Sequence, residues 1–176
     1  MSDATLPDTI GHGSREDLFS RFRELGIETE THTHPPVFTV EEAQTHCSHL
    51  PGGHCKNLFL KDKKKQLWLI VTRDEQPVDL NALSKALGAP RFSFGKAELL
   101  AEVLGVIPGA VTPLALINDR DLRVKVVLDA AMMGLELLNY HPLSNDATTA
   151  ITPQDLMTLL ASFGHQPRLF DFAAIS

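Results

Sequence analysis

The sequence predicts a mixed α/β fold: one domain in which a curved, barrel-like mixed β-sheet is covered by packed helices. Segments with helical periodicity are interspersed with short apolar and β-branched runs that favour strands, without a strict βαβ repeat. Several neighbouring strand segments are joined by hairpin-length links, which a doubly wound parallel sheet would not allow. The chain has 176 residues, of which 43% are apolar and 22% charged, as expected for one globular domain.

Helix starts and ends are marked by capping residues. Ser14 and Asp17 form an N-terminal capping box, and Gly26 is typical of the end of the helix that follows. Further helices are predicted from the Thr39–Glu42 capping box to about residue 48, from the Asp79 cap to residue 87, over residues 96–104, and from the Thr152–Pro153 cap onward.

Strands are predicted where short apolar or β-branched runs lie between glycine, proline and polar residues. Residues 56–60 and 67–72 are expected to pair as a hairpin, with the basic residues 61–65 as its turn. The other predicted strands cover residues 27–33, 114–117, 124–128, 135–138, 148–151 and, at an edge of the sheet, 169–172.

The N-terminus and the two cysteines give expectations about location and assembly. Residues 1–13 are expected to form a flexible tail before a domain that spans residues 14–172. The tail lacks the basic and apolar stretches of a secretory signal, and no apolar run reaches the roughly 20 residues of a membrane helix. Cys47 and Cys55 are too few for a disulfide framework. We therefore expect a cytoplasmic monomer with no membrane partner.

Charge is distributed unevenly along the chain, whose formal net charge is −6. Residues 51–125 carry 12 basic and 8 acidic side chains, whereas residues 1–50 carry 3 and 9, and residues 126–176 carry 1 and 5. A locally positive face can bind phosphate on an acidic protein, so nucleic acid is not excluded as a partner. The basic turn at residues 61–65 is the candidate, although its composition is equally typical of a solvated hairpin tip.

Three segments carry candidate site residues, and each also has a plain structural interpretation. Lys56 follows a Gly-Gly loop and begins an apolar strand, where its ammonium either projects into a cleft or lies in solvent. The glycines and prolines of residues 105–113 can aim backbone N–H groups at a developing oxyanion, or can merely connect a helix to a strand. His141 precedes a proline and can act as a hydrogen-bond donor or general base, or can cap a loop.

A run of histidines and cysteines raises the alternative of a zinc site or a metal-binding regulator. Its members are His46, Cys47, His49, His54 and Cys55. The spacing of structural zinc sites, a Cys-x2-Cys pair with a second distant pair, is missing. The sequence also lacks P-loop, GxSxG, HExxH and GxGxxG motifs. We expect no metal and no cofactor.

Taken in order, these segments resemble one known family. The motifs are Gly-Gly-His-Cys-Lys56-Asn-Leu-Phe-Leu, Gly105-Val-Ile-Pro-Gly-Ala-Val-Thr-Pro113 and Asn139-Tyr-His-Pro, preceded by His-Pro-Pro-Val-Phe-Thr. They occur in this order in the superfamily of YbaK and prolyl-tRNA synthetase editing domains. The resemblance covers about residues 14–172 and is greatest to the free-standing ProX-type deacylases of Ala-tRNA(Pro).

The resemblance implies a hydrolase that cleaves the ester between an amino acid and the 3′ end of a tRNA. It implies mischarged tRNA(Pro) as the substrate and prolyl-tRNA synthetase as a further partner. Lys56 matches the functional lysine of the family. The implied substrate-binding residues are Gly105 and Pro108 of its pocket loop and Asn139 and His141 of the bordering segment, to which we add Gly109 and Ala110.

The expected chemistry is a second, smaller site that removes an amino acid which a synthetase cannot exclude, since a missing methylene gives only about 10–200-fold discrimination. We expect Lys56 to orient the terminal adenosine or its phosphate, or to polarise the ester, while backbone N–H groups of residues 105–109 hold the carbonyl. Water would attack, aided by the vicinal hydroxyl of the tRNA, with His141 as the candidate general base. Cys55 is not expected to act as a nucleophile, because it points to the opposite strand face from Lys56.

Contacts to tRNA are expected from two surfaces. These are Arg15, Arg21 and Arg23 on the first helix, and Lys61, Lys63 and Lys64 in the hairpin turn. The sequence leaves open Cys-tRNA(Pro), or seryl- and threonyl-tRNAs, as substrates of the same fold. It also leaves open a non-catalytic module that binds tRNA or a synthetase.

Overall fold

The computed structural model describes residues 12–47 and 49–175. In this part of the chain the α-helices are α1 Arg15–Leu25, α2 Val40–Cys47, α3 Leu80–Leu87, α4 Ala97–Leu104 and α5 Pro153–Ser162. The strands are β1 Glu30–Thr33, β2 Gly53–Asp62, β3 Leu67–Arg73, β4 Phe92–Phe94, β5 Val124–Asp129, β6 Leu138–Tyr140, β7 Ala147–Ile151 and β8 Arg168–Phe170. None of the described helices has the length and apolar character needed to cross a bilayer.

The strands form one mixed sheet in the order β1-β7-β6-β2-β3-β5-β8, and β4 pairs with β2 beside this path. β2 pairs antiparallel with β3 over residues 55–61. On its other edge, β2 pairs in parallel with β6 at residues 53–54 and antiparallel with β4 at residues 60–62. Among the described strands, none pairs with residues 55–59 on that edge, so the sheet has a gap there. The predicted mixed α/β fold is confirmed.

Helices cover both faces of the sheet around β3. On one face, α1, α4 and α5 contribute Leu18, Leu104 and Leu159 to the larger cluster of buried side chains. On the opposite face, α3 and a C-terminal 3₁₀ helix contribute Leu83 and Phe172 to a second cluster. Because both faces are covered, β3 is buried along almost its whole length and does not alternate between apolar and polar residues.

The helix starts predicted from capping residues are confirmed. Ser14 and Asp17 exchange the reciprocal hydrogen bonds of a capping box, and Gly26 ends α1 with a φ of 70°. Asp79 accepts hydrogen bonds from two backbone N–H groups at the start of α3. Thr152 caps α5 in the same way through its hydroxyl oxygen.

Parts of the predicted strand pattern were wrong. Residues 114–117 belong to a 3₁₀ helix, Pro113–Asn118, because the Thr112 side chain caps its start and proline favours the first helical position. The strand predicted over residues 135–138 begins only at Leu138, as β6. β4 was missed because three residues are too few to give a periodic signal. The predicted edge strand is present, shifted toward the N-terminus, as β8.

The last two residues of the expected tail are held against the domain. The His12 ring donates a hydrogen bond from Nε2 to the Glu102 carbonyl at 2.9 Å. The backbone N–H of Gly13 donates to the side-chain oxygen of Asn118. The remainder of the expected tail, residues 1–11, lies outside the described residues.

Candidate active site

Two cavities adjoin beside the N-terminal half of β2. The smaller, of about 50 Å³, is lined by Cys47, His54, Cys55, Asn57, Asp74, Asn139, Tyr140, His141 and Thr148. The larger, of about 920 Å³, is lined by Pro51, Gly52, Gly53, His54, Arg73, Asp74, Glu75, Leu135, Glu136 and Leu137. His54 and Asp74 belong to both linings, so the two spaces meet at these side chains.

Lys56 lies in the part of β2 that borders the gap in the sheet. It is half-buried and is paired in register with Thr72 of β3. Side chains alternate along a strand, so Lys56 shares its face with His54, while Cys55 and Asn57 point to the opposite face. Cys55 packs there against the larger buried cluster, and burial raises the pKa of its thiol to about 12. A thiol that stays protonated is a poor nucleophile, which agrees with the expectation for Cys55.

Asp74 is the acid that both cavities share. Its backbone N–H donates to the His54 carbonyl at 2.9 Å, which fixes the position of Asp74 opposite His54 just after β3 ends. Burial raises the pKa of this carboxyl above its usual value. The charges of His54, Lys56 and His141 act to lower it, and that of Glu75 acts to raise it. Lys56 lies outside both cavity linings, whereas His141 lines the smaller one, and the charges of both act on Asp74.

His141 has one ring nitrogen engaged and the other available. Its Nδ1–H donates to the Ala147 carbonyl at 2.9 Å, because a carbonyl oxygen can only accept. Burial lowers the pKa of the imidazole below its usual value of about 6.5, and the neighbouring His34 acts in the same direction. At neutral pH the ring is therefore uncharged, and Nε2 keeps a lone pair that can accept a proton.

Two asparagine amides line the smaller cavity. The Nδ2 group of Asn139 donates to the Pro51 carbonyl at 3.0 Å and to the Gly53 carbonyl at 3.1 Å, so it fixes the loop from which β2 begins. The Oδ1 atom of Asn57 is buried and has no hydrogen-bond partner among the described residues. A buried acceptor without a donor is costly, and a bound group with N–H donors would satisfy it.

A chain of hydrogen bonds forms the wall of the cavity next to α2. The Thr148 hydroxyl oxygen lies 2.8 Å from His34 Nε2 and 3.8 Å from Cys47 Sγ. His34 Nδ1 lies 2.8 Å from the Pro35 carbonyl, so Nδ1–H donates to that carbonyl, and Nε2 shares a hydrogen bond with the Thr148 hydroxyl. The rings of His34 and His141 have centroids 6.3 Å apart. The segments that carry the two histidines are therefore packed side by side.

The loop at residues 105–113 contributes to neither cavity lining. Gly105 ends α4, and its N–H donates to carbonyls within that helix. The N–H of Ala110 donates to the Ile107 carbonyl, and the Ala110 side chain is fully buried. The Gly105 N–H was among the expected donors to the substrate carbonyl, and it is used within α4; Ala110 was expected to bind substrate but was not among these donors. Pro108 has no N–H to donate.

Gly109 links this loop to the wall that carries His34. A β-carbon at Gly109 would lie 3.0 Å from a ring carbon of Phe38 and 3.3 Å from the amide nitrogen of Asn145. That amide nitrogen donates to the Val37 carbonyl at 2.8 Å. Only glycine allows the loop to approach the 37–38 segment this closely.

Comparison with known proteins identifies the family. The model of the aminoacyl-tRNA editing domain matches residues 34–159. The chain belongs to this family. It is 44% identical to prolyl-tRNA synthetase associated domain-containing protein 1 of Danio rerio over 160 residues, which cover 90% of this chain and 87% of the relative. It is 31% identical to the prolyl-tRNA editing protein ProX of Acetoanaerobium sticklandii over 153 residues, 86% and 93% of the two chains.

A solved structure supports the fold of this editing domain. A protein described as a candidate trans-editing enzyme for prolyl tRNA synthetase superposes with a TM-score of 0.66, over 96% of this chain and 98% of the other. The two sequences are 18% identical, so this likeness concerns the fold alone. The resemblance to the YbaK and prolyl-tRNA synthetase editing domains is confirmed by the family match.

Each of the three α1 arginines has a partner within the editing domain. Arg15 forms an ion pair with Asp146 at 2.8 Å, and Arg21 forms one with Glu24 at 3.3 Å. Arg23 is exposed and donates to the Ser20 hydroxyl within α1. The hairpin lysines lie at the other end of β2, where Lys61 and Lys63 border a surface depression. Lys64 is exposed in the turn itself.

Three members of the histidine and cysteine run, Cys47, His54 and Cys55, have other contacts in the structure. Among the described residues, no group of three or more His, Cys, Asp or Glu side chains could hold a metal ion. The ring of His54 donates from Nε2 to the Leu50 carbonyl at 3.1 Å. Cys47 and Cys55 are both free thiols.

Sequence reasoning missed several residues of the cavities, above all Asp74. The hairpin held the missing signal: if Lys61 pairs with Leu67 across the turn, counting back along both strands puts His54 opposite Asp74. No comparable local signal links His34 with Thr148, because these residues lie more than a hundred positions apart.

Proposed function

We propose that this editing domain is a hydrolase that removes alanine from mischarged tRNA(Pro) by cleaving the ester at the 3′ end. The observation that carries the proposal is the small cavity lined by Asn57, Asp74 and His141, because its size and acceptor groups fit an alanyl group. The names of two relatives, a prolyl-tRNA editing protein and a prolyl-tRNA synthetase associated domain-containing protein, support the prolyl system as the source of the tRNA.

The size of the cavity favours a small amino acid. Its volume is about 50 Å³. A water-sized group needs about 10–15 Å³, so the cavity holds roughly three to five such groups. The nitrogen, α-carbon and β-carbon of an alanyl group fit within this space, whereas the additional ring carbons of a prolyl group bring it to its upper limit. Serine and cysteine each add only a single atom to alanine, so both belong in the test.

The polarity of the cavity favours an aminoacyl ester. Asn57 offers an unpaired amide oxygen and Asp74 offers a carboxylate. An aminoacyl-tRNA brings a free α-ammonium group whose N–H donors match these acceptors, and a peptidyl ester lacks that group. The unpaired oxygen of Asn57 is the acceptor that most needs such a donor.

The proposed reaction is an ester hydrolysis. Water provides the oxygen that bonds to the carbonyl carbon and the proton that the released ribose oxygen takes up. The water oxygen attacks the carbonyl carbon while His141 Nε2 accepts a proton from it. The ammonium of Lys56 stabilises the oxyanion that develops on the carbonyl oxygen. The bond to the ribose oxygen then breaks, and that oxygen takes the proton from His141. The products are alanine and a tRNA with a free hydroxyl.

The substrate assignment predicts that the hydrolysis rate depends on the amino acid attached to the tRNA. We expect Ala-tRNA(Pro) to be hydrolysed at least about 100-fold faster than Pro-tRNA(Pro), because one small pocket admits the first and excludes the second. The measurement is release of labelled amino acid from the alanyl, seryl, cysteinyl and prolyl esters of one tRNA(Pro). Faster release of serine or cysteine than of alanine would reassign the substrate. No release from any ester would indicate a non-catalytic tRNA-binding module.

The role of His141 predicts a pH dependence. His141→Ala is expected to lower kcat/KM by about 10²–10⁴-fold, the contribution typical of a general base. In the wild type the rate should fall only below pH 6.5, because burial lowers the pKa of this imidazole and only the neutral ring accepts a proton. Single-turnover rates across the titration range of histidine test both statements.

His32→Ala is the matched control, because His32 is an exposed histidine on β1. This variant should keep the wild-type rate at neutral pH and the same decrease of the rate at acid pH. His34, Asp146 and Asp74 also act on the titration of His141. If His141→Ala retained the wild-type acid limb, the titrating group would be another residue, and the general-base role would be wrong.

A further inference from the structure

A basic depression lies at the hairpin tip, at the end of β2 remote from the two cavities. It has a volume of about 420 Å³ and is lined by Lys61, Asp62, Lys63, Lys65, Arg91, Phe92 and Ser93. The side chains of Lys63, Lys65 and Arg91 are exposed. The sequence alone did not reveal Lys65 and Arg91 as parts of one surface, because Arg91 reaches it through the pairing of β4 with β2.

The one acid in this lining does not neutralise the cations. Asp62 is 5% exposed. Its carboxylate accepts hydrogen bonds from the backbone of Lys64 at 2.8 Å, from the backbone of Gln66 at 3.0 Å and from the indole of Trp68 at 3.1 Å. The carboxylate therefore holds the turn together, and the four cationic side chains remain available for an anionic partner.

The edge of β2 that borders the gap in the sheet runs from the candidate active site toward this depression. β6, which leads to His141, and β4, which follows Arg91, flank the same edge of β2. Lys56 and Lys61 are five positions apart in β2, which corresponds to about 17 Å at roughly 3.3 Å per residue. A nucleic-acid strand advances by about 3.4 Å per nucleotide. A tRNA whose terminal ribose lies at Lys56 can thus place its first paired nucleotides at the hairpin tip.

We propose that this depression binds the phosphate backbone of the acceptor stem of the tRNA whose 3′ end occupies the small cavity. This inference rests on the proposed function and adds the surface that positions the substrate. Phosphate contacts of this kind set register without reading sequence. The hairpin suits this role better than α1, where Arg15 and Arg21 already pair with acids of the domain.

The test compares two variants that each remove two positive charges. Lys63→Gln/Arg91→Gln alters the depression, and Arg21→Gln/Arg23→Gln alters α1. Each is assayed on full-length Ala-tRNA(Pro) and on an alanyl ester of the 3′-terminal CCA fragment, which lacks the stem. We expect the hairpin variant to raise KM roughly tenfold on the full tRNA, with kcat and the rate on the fragment within about twofold of wild type.

Binding of uncharged tRNA at several salt concentrations gives a second readout that needs no hydrolysis. The slope of log K against log salt should decrease by roughly 0.7–0.9 for each phosphate contact that the hairpin variant loses. An equal or larger effect of the α1 variant, or an unchanged slope in the hairpin variant, would overturn the proposed docking surface. If the wild type binds tRNA with the expected slope but hydrolyses neither ester, the proposed function fails and the docking surface stands.

Discussion

Replacement of Lys56 by alanine is expected to lower kcat/KM for Ala-tRNA(Pro) by about 10²–10³-fold, the loss typical when one preorganised group at a developing oxyanion is removed. Lys56 is half-buried on β2, and its charge acts on Asp74, the acid that both cavities share. Removal of the ammonium leaves the oxyanion without its cation and leaves Asp74 with less positive charge around it. Single-turnover deacylation with enzyme in excess measures this effect.

Two further variants separate charge from position at Lys56. Lys56→Arg keeps the charge, but its larger planar group places its donors in a different geometry from that of the compact ammonium. We expect this variant to retain less than about a tenth of the wild-type rate. Lys85→Ala removes an exposed lysine of α3 and should leave the rate within about twofold. If Lys56→Ala kept a third or more of the wild-type rate, Lys56 would not be catalytic.

The helices were predictable because their signals are local. The capping boxes at Ser14 and Thr39, the Asp79 cap and the Thr152–Pro153 start each act within one turn of chain. The strand at residues 114–117 was predicted wrongly for a related reason. A short apolar run is compatible with a strand or with a buried helical turn, and its burial on all sides removes the period that distinguishes them.

The candidate site was only partly predictable because it is assembled by pairing between distant segments. Lys56, Asn139 and His141 were found through motifs that lie within single segments. Asp74 depends on the register of the hairpin. The expected donor Gly105 illustrates another limit, since a loop that can aim N–H groups at a ligand can also use them internally.

Replacement of Asp129 by alanine is expected to destabilise the domain by about 1–3 kcal/mol, the cost of leaving buried hydrogen-bond donors without their acceptor. The Asp129 side chain is fully buried at the end of β5. Its carboxylate accepts hydrogen bonds from the Thr72 hydroxyl at 2.7 Å, from Arg73 Nε at 3.0 Å and from the backbone N–H of Ala131 at 3.0 Å. Without it, Thr72 and Arg73 lose their acceptor where β3 leads into Asp74. Urea unfolding at neutral pH measures the loss.

Measuring the free energy of unfolding at neutral and acid pH separates the contribution of the Asp129 charge from that of its side-chain shape. Burial opposes ionisation, but the bonds from Thr72, Arg73 and Ala131 outweigh it and hold the pKa of Asp129 below its usual value. A carboxyl with a lowered folded-state pKa stabilises the fold above the unfolded-state pKa of about 3.9, and this stability is lost as the pH falls through the folded-state pKa. The stability difference between wild type and Asp129→Asn should therefore be largest at neutral pH and shrink in acid. Asp121→Asn, at an exposed turn, should show no such difference at either pH. A constant difference for Asp129→Asn would mean that amide geometry, not charge, causes the effect.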